Sequence, residues 1–270
     1  MEYDNVIADS VTSTILLDKN EEKILKLFPK FTCEDFVEKE FKNALLIKDL
    51  DFNKAQVYGR YNIKSRLGII YEYIKGPRLT DLSEEEFLKG EGKEDIKKLE
   101  DCSFYLSSLH KKVLKHKIQS SSSYKDSIRY QISSSTMHTK EEKQEGLKLL
   151  NSLPEGENLC HGDFHVGNVI VSGEGPYLID FADVCKGPPF FDIARCYCMT
   201  EHKYGFHTLR HDPKLFKRAL KIRSIIAEKY LEQMNTSWEQ IEDYYHLIYM
   251  CKTNHDRSIC GNHVHPSFFE

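Results

Sequence analysis

His161-Gly162-Asp163-Phe164-His165-Val166-Gly167-Asn168 runs into Val169-Ile170-Val171, and Tyr177-Leu178-Ile179-Asp180-Phe181 follows shortly after. The reading of the whole chain turns on this stretch. Residues 168–171 and 177–181 have the β-branched and aromatic character of strands, and Ser172-Gly173-Glu174-Gly175-Pro176 between them has the composition of a turn. The pattern predicts a hairpin. Pairing across its turn carries Asn168 and Asp180 to the same end of the ladder, with Asp163 a few residues away in the entering loop. Two carboxylates and an amide then converge on one small volume.

Phosphoryl transfer needs such a group. A carboxylate and an amide oxygen can hold Mg2+ on nucleotide phosphates, while a separate carboxylate takes the proton of the attacking hydroxyl. Asp163 stands five residues before Asn168, and Asp180 stands twelve after it, which is the order and spacing of a kinase catalytic loop and metal aspartate. Protein kinases usually show Arg where this chain has Gly162, and Gly where it has Ala182. The block HGDFHVGN followed by LIDFADVCKGPPFFDIAR closely resembles the aminoglycoside phosphotransferase and choline kinase superfamily, small-molecule kinases with a protein-kinase-like fold. The resemblance implies that Asp163 is the catalytic base and that Asn168 and Asp180 are the Mg2+ ligands. It further implies that His161 braces the catalytic loop and that Asp192 hydrogen-bonds that loop from the following helix. The plain alternative makes these Asp and Asn residues simple turn formers, and it leaves their order and spacing unexplained.

Composition narrows the class. The chain has 270 residues, 40% of them hydrophobic, enough to build a substantial core, and no run approaches eighteen apolar residues, so no membrane partner is expected. Its 38 basic and 42 acidic residues give a net charge of -4, too mild to indicate a nucleic-acid partner. The first residues, MEYDNVIADS, lack the basic and then apolar pattern of a signal peptide, so the expected location is cytoplasmic. Eight scattered cysteines read as reduced thiols, and Cys196-Tyr197-Cys198 lacks redox spacing. In the tail, Cys251, His255, Cys260, His263 and His265 lack paired zinc-ligand spacing, and no structural zinc is expected.

In the first quarter of the chain, residues 6–8, 14–17 and 23–28 read as three strands of a meander. The resemblance makes this the nucleotide-binding sheet and sets its first turn over the phosphates. The amides and hydroxyls of Ser10, Thr12 and Ser13 are the candidate donors there. That turn holds no glycine, unlike the Gly-rich loop of protein kinases, and an ordinary polar hairpin turn is the other reading. Alternation puts Ile24, Lys26 and Phe28 on one face and Leu25 and Leu27 on the other. A lysine on an apolar face wants a partner. By resemblance Lys26 contacts the α and β phosphates, and its partner comes from a helix expected over Cys33 to Leu50: Glu40, with Glu38 as rival. Two more strands, Gln56–Tyr61 and Leu67–Ile74, precede a break at Lys75-Gly76-Pro77. The resemblance makes Glu72, Tyr73 and Ile74 the hinge whose backbone binds adenine.

Beyond the break the chain turns helical. Ser83 before three glutamates reads as an N-cap, and a helix is expected over Ile96 to Val113 with His110 in a structural role. Serine runs at 120–123 and 133–135 suggest an irregular excursion between them. Thr139 and Glu142 form a capping box for a helix ending near Leu153. Later helices are expected over Leu215–Met234 and, capped by Ser237, from Trp238 to about Met250. Glu239, Glu242 and Asp243, with Tyr244 and Tyr245, either face a cationic acceptor or form a solvated face.

The expectation is therefore an α+β, two-lobed protein-kinase-like fold. A small antiparallel-sheet lobe over residues 1–75 binds nucleotide, and a mainly helical lobe over 76–270 carries catalysis and the acceptor. The resemblance implies Mg2+-dependent transfer from ATP, with GTP as the other candidate donor, to a hydroxyl of an aminoglycoside-, choline- or sugar-like molecule. No oligomeric state is assigned. An atypical protein kinase is disfavoured by the eleven residues between Asp180 and Asp192, and a nucleotide-binding regulator without turnover by the presence of all three central residues.

Overall fold

The computed structural model describes residues 3–63, 65–90, 92–119, 122–201 and 212–260, with 4 and 253–260 described by backbone alone. Strand β3 (Lys23–Leu27) is the middle of a five-stranded antiparallel sheet of order β1 (Tyr3–Asp9), β2 (Thr14–Asp18), β3, β5 (Arg66–Glu72), β4 (Val57–Ile63). Alternation along β3 gives the sheet two apolar faces. Leu25 and Leu27 join Ile70 in a small cluster flanked by Leu16, Tyr61 and Ile63, while Ile24, Ile69 and Tyr71 belong to the main core. Helix α1 (Glu34–Ile47) covers this second face by burying Val37, Ala44 and Ile47. It ends three residues before Leu50. The loop that follows is tied by Lys54, whose Nζ donates to the carbonyls of Leu50 and Phe52.

The hairpin forms as β7 (Val169–Ser172) and β8 (Gly175–Leu178), paired Val169 to Leu178 around a two-residue turn. It is shorter than expected, and Asp180 lies beyond the second strand. One more backbone bond, Ile179 N–H to Asn168 O at 3.0 Å, keeps the two residues together at that end. Both lobes grip this hairpin. Leu178 N–H donates to Asn53 O and Ala55 N–H to Leu178 O, each at 3.0 Å, and on the other strand Val171 N–H donates to Pro77 O at 2.9 Å. Gly76 is required there: it has φ +153°, and a Cβ would lie 2.0 Å from Val171 O.

The rest is helical: α2 (Leu79–Leu88), α3 (Ile96–Leu114), α4 (Tyr124–Ser134), α5 (Lys140–Ser152), α6 (Pro189–Glu201), α7 (Pro213–Gln233) and α8 (Trp238–Cys260). A short ladder of β6 (Asn158–Cys160) with β9 (Cys185–Gly187) completes it. Three expectations are corrected. Ser83 is no N-cap; it is buried inside α2, its hydroxyl donating to Thr80 O, because the helix starts directly after Pro77 with Arg78 N–H donating to Asp81 Oδ2. The segment between the serine runs is a helix, α4. Ser123 and Asp126 exchange capping-box bonds, and Tyr124, Ile128 and Ile132 bury one stripe. Helix α8 continues ten residues past Met250.

Helix α5 starts with the expected capping box: Glu142 N–H donates to Thr139 Oγ1 and Thr139 N–H to Glu142 Oε2. Thr139→Ala should cost about 1 kcal/mol of stability, read as a lower urea midpoint with an unchanged slope. No helix among the described residues is long and apolar enough to cross a membrane.

Candidate active site

The loop after β6 is held from below by one carboxylate. Asp192, in the first turn of α6 and fully buried, accepts from His161 N–H at 2.7 Å and Gly162 N–H at 2.9 Å. It is itself gripped by His110 Nε2 at 3.0 Å, whose Nδ1 meets the Tyr230 hydroxyl at 2.6 Å. A carboxylate only accepts, so His110 carries its proton on Nε2 and takes the Tyr230 proton bond on Nδ1. Burial pushes the His110 imidazole down despite its carboxylate partner, which keeps it neutral. For Asp192 burial acts upward, but the hydrogen bonds from His110 and the Gly162 amide outweigh it and hold the carboxyl below its usual range. His110 thus has the structural role expected of it. Phe164 stacks on its ring at 3.9 Å.

Asp192→Ala leaves three buried donors without an acceptor and should cost about 3–5 kcal/mol. Because its folded pKa is depressed, the stability Asp192 contributes is complete above the unfolded value of about 3.9 and is lost as pH falls through the folded value. Acid titration of stability should therefore lose a component in the variant, as urea midpoints measured between neutral pH and pH 3 would show.

Gly162 has φ +77°, and a Cβ there would sit 2.2 Å from Asp183 O. A side chain here would collide with the backbone of the segment after Asp180. His161 is buried among aromatic edges, with Phe164 at 5.9 Å and Phe181 at 6.0 Å in T-shaped contact. Neither ring nitrogen has a hydrogen bond among the described residues. Its ring contacts are therefore apolar, with Phe164 of its own loop and Phe181 of the segment carrying Asp180.

Asp163 projects from this loop, its side chain 28% exposed. Arg195 Nη2 reaches Oδ1 at 3.3 Å, while His165 Nε2 at 3.4 Å and Asn168 Nδ2 at 3.3 Å reach Oδ2. Burial works to raise its pKa, but His165 and then Arg195 overcome this and hold the carboxyl well below the usual range. An ionised carboxylate with open lone pairs, in hydrogen-bond reach of solvent, is chemically a base.

Asn168 ends a 3-10 turn, Val166–Asn168, with its amide nitrogen donating to Asp163 O at 2.9 Å. Its Oδ1 has no hydrogen bond among the described residues. Asp180 adopts φ +66°, a left-handed conformation that side chains rarely take. Its Oδ1 accepts from Lys26 Nζ at 3.0 Å, and the side chain is 41% exposed. An amide oxygen and a carboxylate are both hard oxygen donors, the kind of ligand Mg2+ takes.

Lys26 also donates to both oxygens of Glu40, at 2.9 and 3.0 Å, and Glu40 is fully buried. Burial acts to lower the lysine's pKa, but Asp180 and Glu40 more than offset this and keep it charged. Glu38 faces the other way and pairs with Arg60 of β4. Two residues that no sequence pattern singled out complete the arrangement. Tyr71 donates its hydroxyl to Glu40 Oε1 at 2.9 Å, and Asn43 Nδ2 donates to the carbonyls of Phe181 at 2.9 Å and Ala182 at 3.2 Å.

Register places the remaining candidates at opposite ends of the sheet. Lys26 pairs with Ile15 and Ile69, one residue from the β1–β2 turn, whereas Glu72 pairs with Lys23 at the far end of β3. In the turn, Ser10 N–H donates to Ser13 O, and Ser10 Oγ accepts from Ser13 N–H. Ser10 and Ser13 thus spend their amides on closing the turn. At the far end Tyr73 N–H donates to Glu22 O at 2.9 Å, whereas Ile74 N–H has no hydrogen bond among the described residues. On α8, Glu239 and Asp243 are exposed, while Tyr244 is buried against Tyr124. These acids and Tyr244 therefore do not share a face. Tyr245 donates to Glu201 at 3.3 Å. No group of three His, Cys, Asp or Glu side chains gathers as for a metal among the described residues. The side chains of His255, Cys260, His263 and His265 lie outside them.

Residues 141–213 match the model of the phosphotransferase enzyme family APH. The fold matches an amicoumacin kinase solved in complex with AMP-PNP, Ca2+ and Ami, with TM-score 0.60 and 13% identity over 97% of this chain and 83% of that one. An aminoglycoside-3'-phosphotransferase of type VIII gives TM-score 0.61 and 14% identity over 93% of each chain. The ADP-bound aminoglycoside phosphotransferase APH(2'')-Ib gives 0.59 and 15%, over 98% and 88%. Comparison with curated proteins gave no sequence match. The chain has the fold of these solved kinases, and residues 141–213, which include Asp163, Asn168 and Asp180, carry the sequence pattern of the APH family.

Proposed function

We propose that the chain transfers the γ-phosphoryl group of ATP, or of GTP, to a hydroxyl of a small molecule in a Mg2+-dependent reaction, with residues 1–75 as the nucleotide lobe and 76–270 as the catalytic and acceptor lobe. One observation carries the reading: Asp163, Asn168 and Asp180 stand together at one end of the hairpin, and the Lys26–Glu40 pair is bonded to the same Asp180. Solved proteins of this fold with AMP-PNP or ADP bound give it further support.

In this reading Asn168 Oδ1 and Asp180 hold the metal, which when bound neutralises charge on the phosphate oxygens. Lys26, held by Glu40, contacts the α and β phosphates of the nucleotide. Ile74 N–H is the open hinge donor for the base. At the other end, with the Ser10 and Ser13 amides committed, the turn contributes its remaining amides and the Thr12 hydroxyl. Asp163 accepts the proton of the acceptor hydroxyl as that oxygen attacks. Catalysis on this scheme is positioning plus charge neutralisation.

The test is ADP release from ATP and Mg2+ against a panel of aminoglycosides, choline and ethanolamine, homoserine, methylthioribose and simple sugars. Acceptor-dependent release is expected for one chemical class. Nucleotide binding without release for any acceptor would favour a nucleotide-binding regulator, and failure to bind nucleotide would refute the reading.

A further inference from the structure

We propose that Arg195 of α6 is a positioning residue for the base: it fixes the Asp163 carboxylate in the orientation from which that carboxylate takes the acceptor's proton. The inference rests on the phosphotransferase reading above. Asp192 and Arg195 are three residues apart and so share one face of α6. That face holds three consecutive loop residues, the His161 and Gly162 amides through Asp192 and the Asp163 side chain through Arg195.

A guanidinium in this place needs a reason. Arg195 is only 14% exposed, and its Nε is buried without a hydrogen bond among the described residues. Taking such a cation out of water is costly unless carboxylates face it. Asp163 and Asp183 are the acids that act on it, and they hold it charged against the opposing effect of burial. The loop alone would fix only one of the base's oxygens. His165 accepts the Gly167 amide on Nδ1 at 2.9 Å, which directs its Nε2, with Asn168 Nδ2, at Asp163 Oδ2. Arg195 takes Oδ1. Rotating the carboxylate then breaks a contact on one side or the other. The three contacts to the Asp163 carboxylate measure 3.3–3.4 Å.

In the reaction the acceptor oxygen bonds to the γ-phosphorus as the bond from that phosphorus to the β,γ-bridging oxygen breaks. The nucleoside diphosphate leaves, and the hydroxyl proton ends on Asp163. Arg195 keeps its own protons throughout.

Two measurements decide the matter. Steady-state kinetics of Arg195→Met should show kcat lower by about 10²-fold, the usual effect of slightly misplacing a reacting group, with KM for nucleotide unchanged and part of kcat restored in Arg195→Lys. Urea unfolding of the ligand-free protein, in a cycle of Arg195→Met and Asp163→Ala, should give a double variant whose midpoint falls less than the sum of the two single shifts. Additive midpoints in an active protein overturn the proposal, as does a wild-type kcat in Arg195→Met, or a loss confined to KM that lysine fails to relieve. A wild-type chain that binds nucleotide but phosphorylates nothing would instead sink the phosphotransferase reading, whatever the cycle gives.

Discussion

Asp163→Asn should bind nucleotide as the wild type does and turn over between about 10²- and 10⁴-fold more slowly, the range that a positioned general base supplies. The substitution preserves volume and leaves Asn168, Asp180 and Lys26 in place, so the nucleotide half of the site is untouched. What it removes is an anion with a free lone pair. The wild-type carboxyl is held well below the usual range, since His165 and Arg195 outweigh the effect of burial. Wild-type kcat should accordingly show no acid limb between neutral pH and pH 5. Equal kcat in the variant, with calorimetry confirming equal nucleotide affinity, would remove Asp163 from the role of base.

Asp180→Ala should abolish the Mg2+ dependence of nucleotide binding. Residues that merely hydrogen-bond a metal's ligands typically cost about 10- to 100-fold in affinity when removed, and a residue that itself ligates should cost more. Its folded-state role is minor by comparison. The side chain is 41% exposed, and Lys26 keeps both bonds to Glu40 without it. Calorimetric titration of ATP with and without Mg2+ separates the effects: the wild type should bind far more tightly with the metal, and the variant equally weakly either way. A variant that still responds to Mg2+ would move the metal elsewhere.

The clustering of Asp163, Asn168 and Asp180 was legible because it is local: the three lie within eighteen residues and one hairpin brings them together. The two lobes were legible from the switch of period from strand to helix. What escaped the sequence was set by tertiary placement. Glu38 and Glu40 both sit on α1, and only the position of β4 beyond β5 at the sheet edge sends Glu38 to Arg60 and leaves Glu40 to Lys26. Asn43 and Tyr71 reach the site from a helix and a strand whose own patterns say nothing of it, and for Arg195, although it ends the block FFDIAR, nothing in the sequence signals which acid it would meet. Helix α4 was hidden by the serines at its ends, although Tyr124, Ile128 and Ile132 repeat at helical spacing. Tyr244 belonged by the same periodicity with Ile241, Leu247 and Ile248 in the core rather than with the neighbouring acids.

The most direct test of the central claim follows where the phosphoryl group goes. Phosphorus NMR of the protein with ATP, Mg2+ and the acceptor panel should show a new phosphomonoester signal growing in step with ADP for the true acceptor class, and none with Asp163→Asn. Growth of inorganic phosphate alone, or of no new signal while nucleotide is bound, would contradict the assignment of this cluster as a phosphotransferase site for a small-molecule hydroxyl.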